Sequence, residues 1–245
     1  MVRIAFSCVV GVMLTLVVVA AQQATAARVV APASYVSGPM PALPVLALGG
    51  GEVVVELTVS DRGAVVAVKP LRATASFTES VLNAVKAWQF TPAEELIDPA
   101  ARKPGEPAIR AIESKVTVAG LFRPPSFYAG TLGEPIRDVA PASNDAPFPV
   151  ATIMPSLQPS VRNSGVVLIE ARVDGNGTVV ETTVKSSAPP FDEPALDAAR
   201  QWKFRPARIS GAPATARVYL VFSFQLPVAL SAPASPPVPP PPASR

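Results

Sequence analysis

Trp88-Gln89-Phe90-Thr91-Pro92-Ala93 and Trp202-Lys203-Phe204-Arg205-Pro206-Ala207 decide how this chain is built. They contain the only two tryptophans among its 245 residues, each followed by x-Phe-x-Pro-Ala. Sliding the sequence by 114 residues lays one stretch on the other, and the match extends upstream without a gap. Gly51-Glu52-Val53-Val54-Val55-Glu56-Leu57-Thr58-Val59 falls on Gly165-Val166-Val167-Leu168-Ile169-Glu170-Ala171-Arg172-Val173. Gly63 falls on Gly177, Phe77 on Phe191, Leu82 on Leu196 and Ala84 on Ala198. Agreement of this length and spacing marks an internal duplication.

Both copies carry the same signals in the same order. Val53, Val55, Leu57 and Val59 alternate with more polar neighbours, as do Val167, Ile169, Ala171 and Val173. That period belongs to a strand with one buried face. Asp61-Arg62-Gly63 and Asp174-Gly175-Asn176-Gly177 supply turns, and second strands run to about Val68 and Lys185. A helix follows, with Thr78 and Asp192 expected as N-caps and Phe77/Leu82 and Phe191/Leu196 at staple spacing. Pro92 and Pro206 forbid its continuation. A last strand holds Ala216, Val218, Leu220, Phe222 and Phe224 on one face, with Arg217, Tyr219, Val221 and Ser223 on the other. Its counterpart near residues 112–120 is weaker, with Ser114 at an inward position and a charged insertion after Ala93.

The expected fold is α+β: two tandem β-β-α-β modules, each a three-stranded antiparallel or mixed sheet with one helix on one face. The helix crossover brings strand three back beside strand one. Strand three is then an edge with unpaired backbone groups. Trp88 and Trp202 read as buried anchors at helix ends rather than as ligand platforms. The copies span 50–122 and 148–226, and the second is the better formed. Residues 27–49 read as a Pro/Ala-rich leader, 123–147 as a proline-punctuated linker and 227–245 as a disordered tail.

Composition narrows the chemistry. Apolar residues make up 49 % and charged residues 16 %, which suits packed domains, while 30 prolines require extended connections. There is no histidine, and Cys8 is the only cysteine. A histidine base, an ordinary zinc site, a disulfide and a folded thiol nucleophile are thereby excluded, and no nucleophile–base pair points to an enzyme. No cofactor is expected. The net charge of +3 is spread along the chain without the aromatic-interleaved basic stripe of a nucleic-acid binder. Arg3, the apolar run from Ile4 to Ala21 and Ala24-Thr25-Ala26 form an export signal over 1–26. A cleaved signal peptide is the expectation, with an uncleaved inner-membrane anchor as the alternative.

The whole pattern resembles the TonB C-terminal domain family. It is carried by the alternating strand, the Asp-Gly-Asn-Gly turn, Ser186-Ser187, Ala195-Leu196-Asp197-Ala198-Ala199-Arg200, Trp202 to Ala207 and Gly211-x-Pro213. The resemblance covers about 148–226 and, more weakly, 50–122. It implies a non-catalytic periplasmic module that binds a short segment of an outer-membrane transporter by strand addition along strand three. By position the binding edge is Arg217, Tyr219, Val221 and Ser223. Transducers of that family carry a histidine in their anchor, which has no counterpart here, so the implied role is binding rather than coupling to a motor.

A second reading is an envelope scaffold or peptidoglycan binder without a transport role. It uses Lys185, Arg200, Lys203, Arg205 and Arg208 as a basic face; the alternative for these residues is ordinary solvated surface. A homodimer is a further possibility, because each module has a small core. Asn176-Gly177-Thr178 reads as a tight turn before a glycosylation sequon.

Overall fold

Alternation of β-branched residues makes Gly51–Val59 and Gly165–Val173 nine-residue strands, and the Gly63 and Gly177 turns double each back on itself. The computed structural model describes residues 28–44, 49–123, 135–156, 161 and 163–224. The export segment, linker residues 124–134 and the proline-rich tail lie outside the described residues. In chain order the elements are β1 (Arg28–Ala31), β2 (Ser34–Ser37), β3 (Gly51–Val59), β4 (Val65–Thr74), α1 (Ala75–Val85), β5 (Gln89–Thr91), β6 (Ala93–Leu96), β7 (Ile109–Ile112), β8 (Ser114–Arg123) and β9 (Ile136–Asp138). Then come β10 (Phe148–Ala151), β11 (Gly165–Val173), β12 (Val179–Ser186), α2 (Asp192–Gln201), β13 (Lys203–Arg205), β14 (Ala207–Ile209), β15 (Ala212–Ala214) and β16 (Ala216–Phe224). Among the described residues no helix is long and apolar enough to cross a membrane.

The fold is α+β, but the two expected three-stranded sheets are joined. One seven-stranded sheet runs β12-β11-β16-β8-β3-β4-β9. β3 lies antiparallel between β4 and β8, β11 lies antiparallel between β12 and β16, and β8 pairs with β16 in parallel from Thr117↔Val218 to Arg123↔Phe224. The two strand-three edges thus satisfy one another.

Parallel pairing has a geometric consequence. The register sets Val55, Val118, Tyr219 and Glu170 side by side on one face, and Val54, Ala119, Leu220 and Ile169 on the other. Phe77, Val81 and Val85 of α1 pack with the first face, while Phe191, Ala195 and Ala199 pack with the second. The helices therefore cover opposite faces, and the four central strands are buried on both sides. Such strands lose clean alternation, which explains the near-continuous burial of β8 and β16. Tyr219, Val221 and Ser223, expected on an outward face, are all buried.

The same parts recur on each side. Phe77 stacks on Phe122 and Phe191 on Phe224, both at 4.3 Å between centroids. Trp88 and Trp202 are fully buried, as expected of anchors. Trp88 Nε1 donates to the Pro39 carbonyl at 2.8 Å and Trp202 Nε1 to the Ile153 carbonyl at 3.0 Å, and these acceptors are again 114 residues apart. β2 pairs with β5 as β10 pairs with β13. From Ser114 to Ala216 the offset falls to 102 residues, because the β6–β7 hairpin is longer than the β14–β15 hairpin.

Four local expectations are corrected. Residues 27–49 are more than a leader, since β1 and β2 lie there and Ala33 and Tyr35 are core residues. The linker likewise supplies β9 on the outer side of β4. Helix α1 starts at Ala75, before Thr78; the Thr78 hydroxyl accepts the Thr74 N–H at 3.1 Å and donates to the Thr74 carbonyl at 2.8 Å, bracing the first turn from inside. Asp192 is the first residue of α2, where its carboxylate accepts the Ala188 N–H at 2.8 Å.

Candidate functional site: the Tyr219 strand and the open sheet edges

β16 displays the residues expected to meet a partner, and their surroundings can be built up one by one. Glu170 lies opposite Tyr219 in the β11–β16 ladder. The Tyr219 hydroxyl donates to Glu170 Oε2 at 2.8 Å and accepts the Tyr35 N–H at 2.8 Å. Arg217 Nε sits 3.4 Å from Glu170 Oε1, and its guanidinium donates to the Pro32 carbonyl at 3.1 Å. Lys185 Nζ approaches Glu170 at 3.9 Å. Around the phenol, Tyr35, Trp88 and Phe90 hold their ring centroids 5.6 to 6.4 Å from that of Tyr219. Burial first, and then the neighbouring Glu170 carboxylate, push the Tyr219 phenol well above its ordinary value.

This arrangement corrects the expected binding edge. With β11 along its whole length on one side and β8 from Val218 to Phe224 on the other, the β16 backbone leaves only Ala216 and Arg217 unpaired on one side, too short a run for a guest strand. The segment around Pro32 to Tyr35 covers the faces of Arg217 and Tyr219. Val221 and Ser223 are buried as well. A partner strand on β16 would first have to separate β8 from β16.

A related cluster stands on the opposite face of the first unit. Glu56 accepts Lys115 Nζ at 3.2 Å, the Ser143 hydroxyl at 2.5 Å and the Ser143 N–H at 3.0 Å, while Thr117 donates to the Pro147 carbonyl at 2.5 Å. Thr117 lies on β8 two residues after Lys115, as Tyr219 lies two residues after Arg217. Ala33 and Pro147 are 114 residues apart. Burial draws the Glu56 carboxyl upward, but the Ser143 hydrogen bonds and Lys115 outweigh it and hold the group below the usual range. In both clusters a polar pair on the central strands clamps a chain segment that precedes a unit.

The basic residues do not converge on one patch. Lys185 lies on the Glu170 face, whereas Arg200 projects from α2 on the other face, paired with Asp197 at 2.9 Å. Arg205 donates to Asn144 Oδ1 and the Ser143 carbonyl and lies 5.9 Å from the Phe148 ring centroid. Arg208 folds onto the Gly211 carbonyl, and Lys203 is exposed. Asn176-Gly177-Thr178 is a turn, as expected. The Asp174 carboxylate accepts the Asn176 and Thr178 N–H groups at 3.0 and 2.8 Å, chiefly the latter depressing its pKa.

Two ladder edges remain open among the described residues. β4 is covered by β9 only over Arg72–Thr74, and β12 has no outer neighbour at all.

The family model for the Gram-negative bacterial TonB protein C-terminal matches residues 155–226, the stretch holding β11, β12, α2 and β16. That segment is similar to the TonB C-terminal domain family. Two curated relatives, each named Protein TonB and from two strains of Xanthomonas campestris pv. campestris, are 35 % identical over 77 residues. The match covers 29 % of this chain and 34 % of each relative, so the chain spans about a third of the length of the curated relatives it matches. No solved structure matches it.

Sequence reading missed Tyr35, Ala33 and Pro39 as partners of the TonB-like segment and its counterpart. A signal for them existed. Met40-Pro41 and Met154-Pro155 are also 114 residues apart, which carries the repeat upstream into the segments that pack on the sheet.

Proposed function

We propose that this chain is a non-catalytic envelope protein that binds other proteins, built from two TonB C-terminal-like copies over 50–122 and 148–226 and fused through their third strands. The observation that carries this reading is the coincidence of the family match with a β-β-α-β unit whose Trp-x-Phe-x-Pro-Ala stretch recurs 114 residues earlier. Its setting is the periplasm, reached through the export signal over 1–26. A partner, such as an extended segment of an outer-membrane transporter, adds as a strand to an open sheet edge, where unpaired backbone groups supply affinity whatever its sequence. The first unit offers Val65–Pro70 of β4 for this, since β9 stops at Arg72.

Hydrogen exchange of the full exported chain, with and without synthetic N-terminal segments of envelope transporters, tests the reading. Slowed exchange at backbone amides of an edge strand supports it. Binding of muropeptides with no strand protection replaces it with the cell-wall scaffold.

A further inference from the structure

The outer side of β12 is the barest part of the sheet. Its eight residues, Val179 to Ser186, contain no proline, and five of them are Val or Thr, which favour extended pairing. Val180 is 48 % exposed. At the other end of the sheet, β4 is interrupted by Pro70 and capped by β9; β12 has neither protection among the described residues. An open edge of this kind is a template for another strand.

The charges on β12 specify which strand. Glu181 lies opposite Arg172 and Thr183 opposite Glu170 in the β11–β12 ladder, so both point to the face that carries Tyr219. Lys185 reaches Glu170 on that same face. Glu181 and Lys185 are therefore equidistant from Thr183 along one side of the strand.

We propose that β12 is a homodimer interface, pairing antiparallel with β12 of a second copy of this chain about a two-fold axis at Thr183. In that register Glu181 of each copy stands opposite Lys185 of the other, and Thr182 stands opposite Val184. Opposite charges directly across an antiparallel ladder attract, and like charges repel. Moving the axis two residues either way sets Glu181 against itself or Lys185 against itself. Moving it by one leaves both charges without a cross-strand counterpart. Only the register at Thr183 satisfies both charges twice. The contact is self-complementary, as a closed two-fold dimer requires, and it joins the two seven-stranded sheets into one. Arg172, beside Glu181 at 2.8 Å, and Glu170, beside Lys185, extend the alternation of sign on either side. The edge left for a partner strand is then Val65–Pro70 of β4.

Sedimentation equilibrium of the full exported chain reads the dimer directly. Wild type forms a reversible dimer that loosens with salt. Glu181→Lys and Lys185→Glu each weaken it by about tenfold, since two attractive pairs become repulsive at once. The double variant Glu181→Lys/Lys185→Glu restores the dimer, a rescue that a folding defect does not produce. In a Cys8→Ala background, Thr183→Cys cross-links under mild oxidation, while Ala67→Cys on β4 does not. A monomer at every concentration, a dimer indifferent to the charge reversals, or cross-linking at Ala67→Cys alone overturns the proposal.

Discussion

Tyr219 on β16 accepts a 2.8 Å hydrogen bond from the backbone N–H of Tyr35 on β2, across 184 residues of sequence. The same hydroxyl donates to Glu170, so one buried oxygen links β2 to the two neighbouring strands β11 and β16 of the TonB-like segment. The clamp makes the N-terminal segment part of the core, and it covers a face that would otherwise present Tyr219 and Arg217 to solvent.

Replacing Tyr219 by Phe removes the acceptor of the Tyr35 N–H and the donor to Glu170 while keeping the ring. A buried group left unsatisfied costs about 1–3 kcal/mol. Urea unfolding of the full chain is expected to show a loss in that range. A loss under about 0.5 kcal/mol would mean that the hydroxyl is not a clamp.

The raised Tyr219 pKa has a signed consequence. The folded state disfavours the phenolate, so its contribution to stability is complete below the ordinary value of about 10 and is lost as pH rises from there toward the folded value. Tyr35, also pushed up by burial, acts in the same direction. Thermal midpoints are expected to fall from about pH 10 upward, and less steeply in Tyr219→Phe than in wild type.

Glu56 acts at the other end of the scale. Its folded pKa is depressed, so its contribution is present above the ordinary carboxylate value of about 4.3 and disappears as pH falls through the folded value. Glu56→Gln is expected to be less stable than wild type at neutral pH, with the two curves converging in acid. Parallel curves down to the acid transition would remove Glu56 from the acid response.

Gly177 has φ +80°, and a Cβ there would lie 1.8 Å from the Phe204 carbonyl oxygen. Gly177→Ala is expected to cost about 3 kcal/mol or more, because strain and clash add. Gly105 has φ +86° but open space around it, so Gly105→Ala isolates the strain at about 1 kcal/mol. Equal losses at both sites would contradict the close approach at Phe204.

Ser223 Oγ is buried without a hydrogen-bond partner among the described residues. Ser223→Ala is therefore expected to leave the unfolding midpoint unchanged or to raise stability by up to about 1 kcal/mol. A clear loss of stability would show that the hydroxyl has found a partner.

Both units' helices and hairpins were legible from local pattern, since alternation, turn residues and Trp-x-Phe-x-Pro-Ala each act within a few positions. Thr78 misled because a hydroxyl on the inner side of a first turn serves its backbone as well as one at the cap. The edge residues were harder. Arg217-Val218-Tyr219-Leu220-Val221 has the composition of a one-faced strand as much as of a two-faced one.

The sequence alone determined that the Trp-x-Phe-x-Pro-Ala stretch recurs 114 residues on, which short stretches favour strand, turn and helix, and that the chain has no histidine and one cysteine, because these depend on residue identity and short-range geometry. Tertiary structure alone decided that the units join through β8 and β16, that their helices take opposite faces, and that Pro32–Tyr35 seals Tyr219. The physical reason is that a strand edge carries no label for its neighbour. Any unpaired backbone lowers its free energy by meeting another, and only the packing of the whole chain says which one arrives.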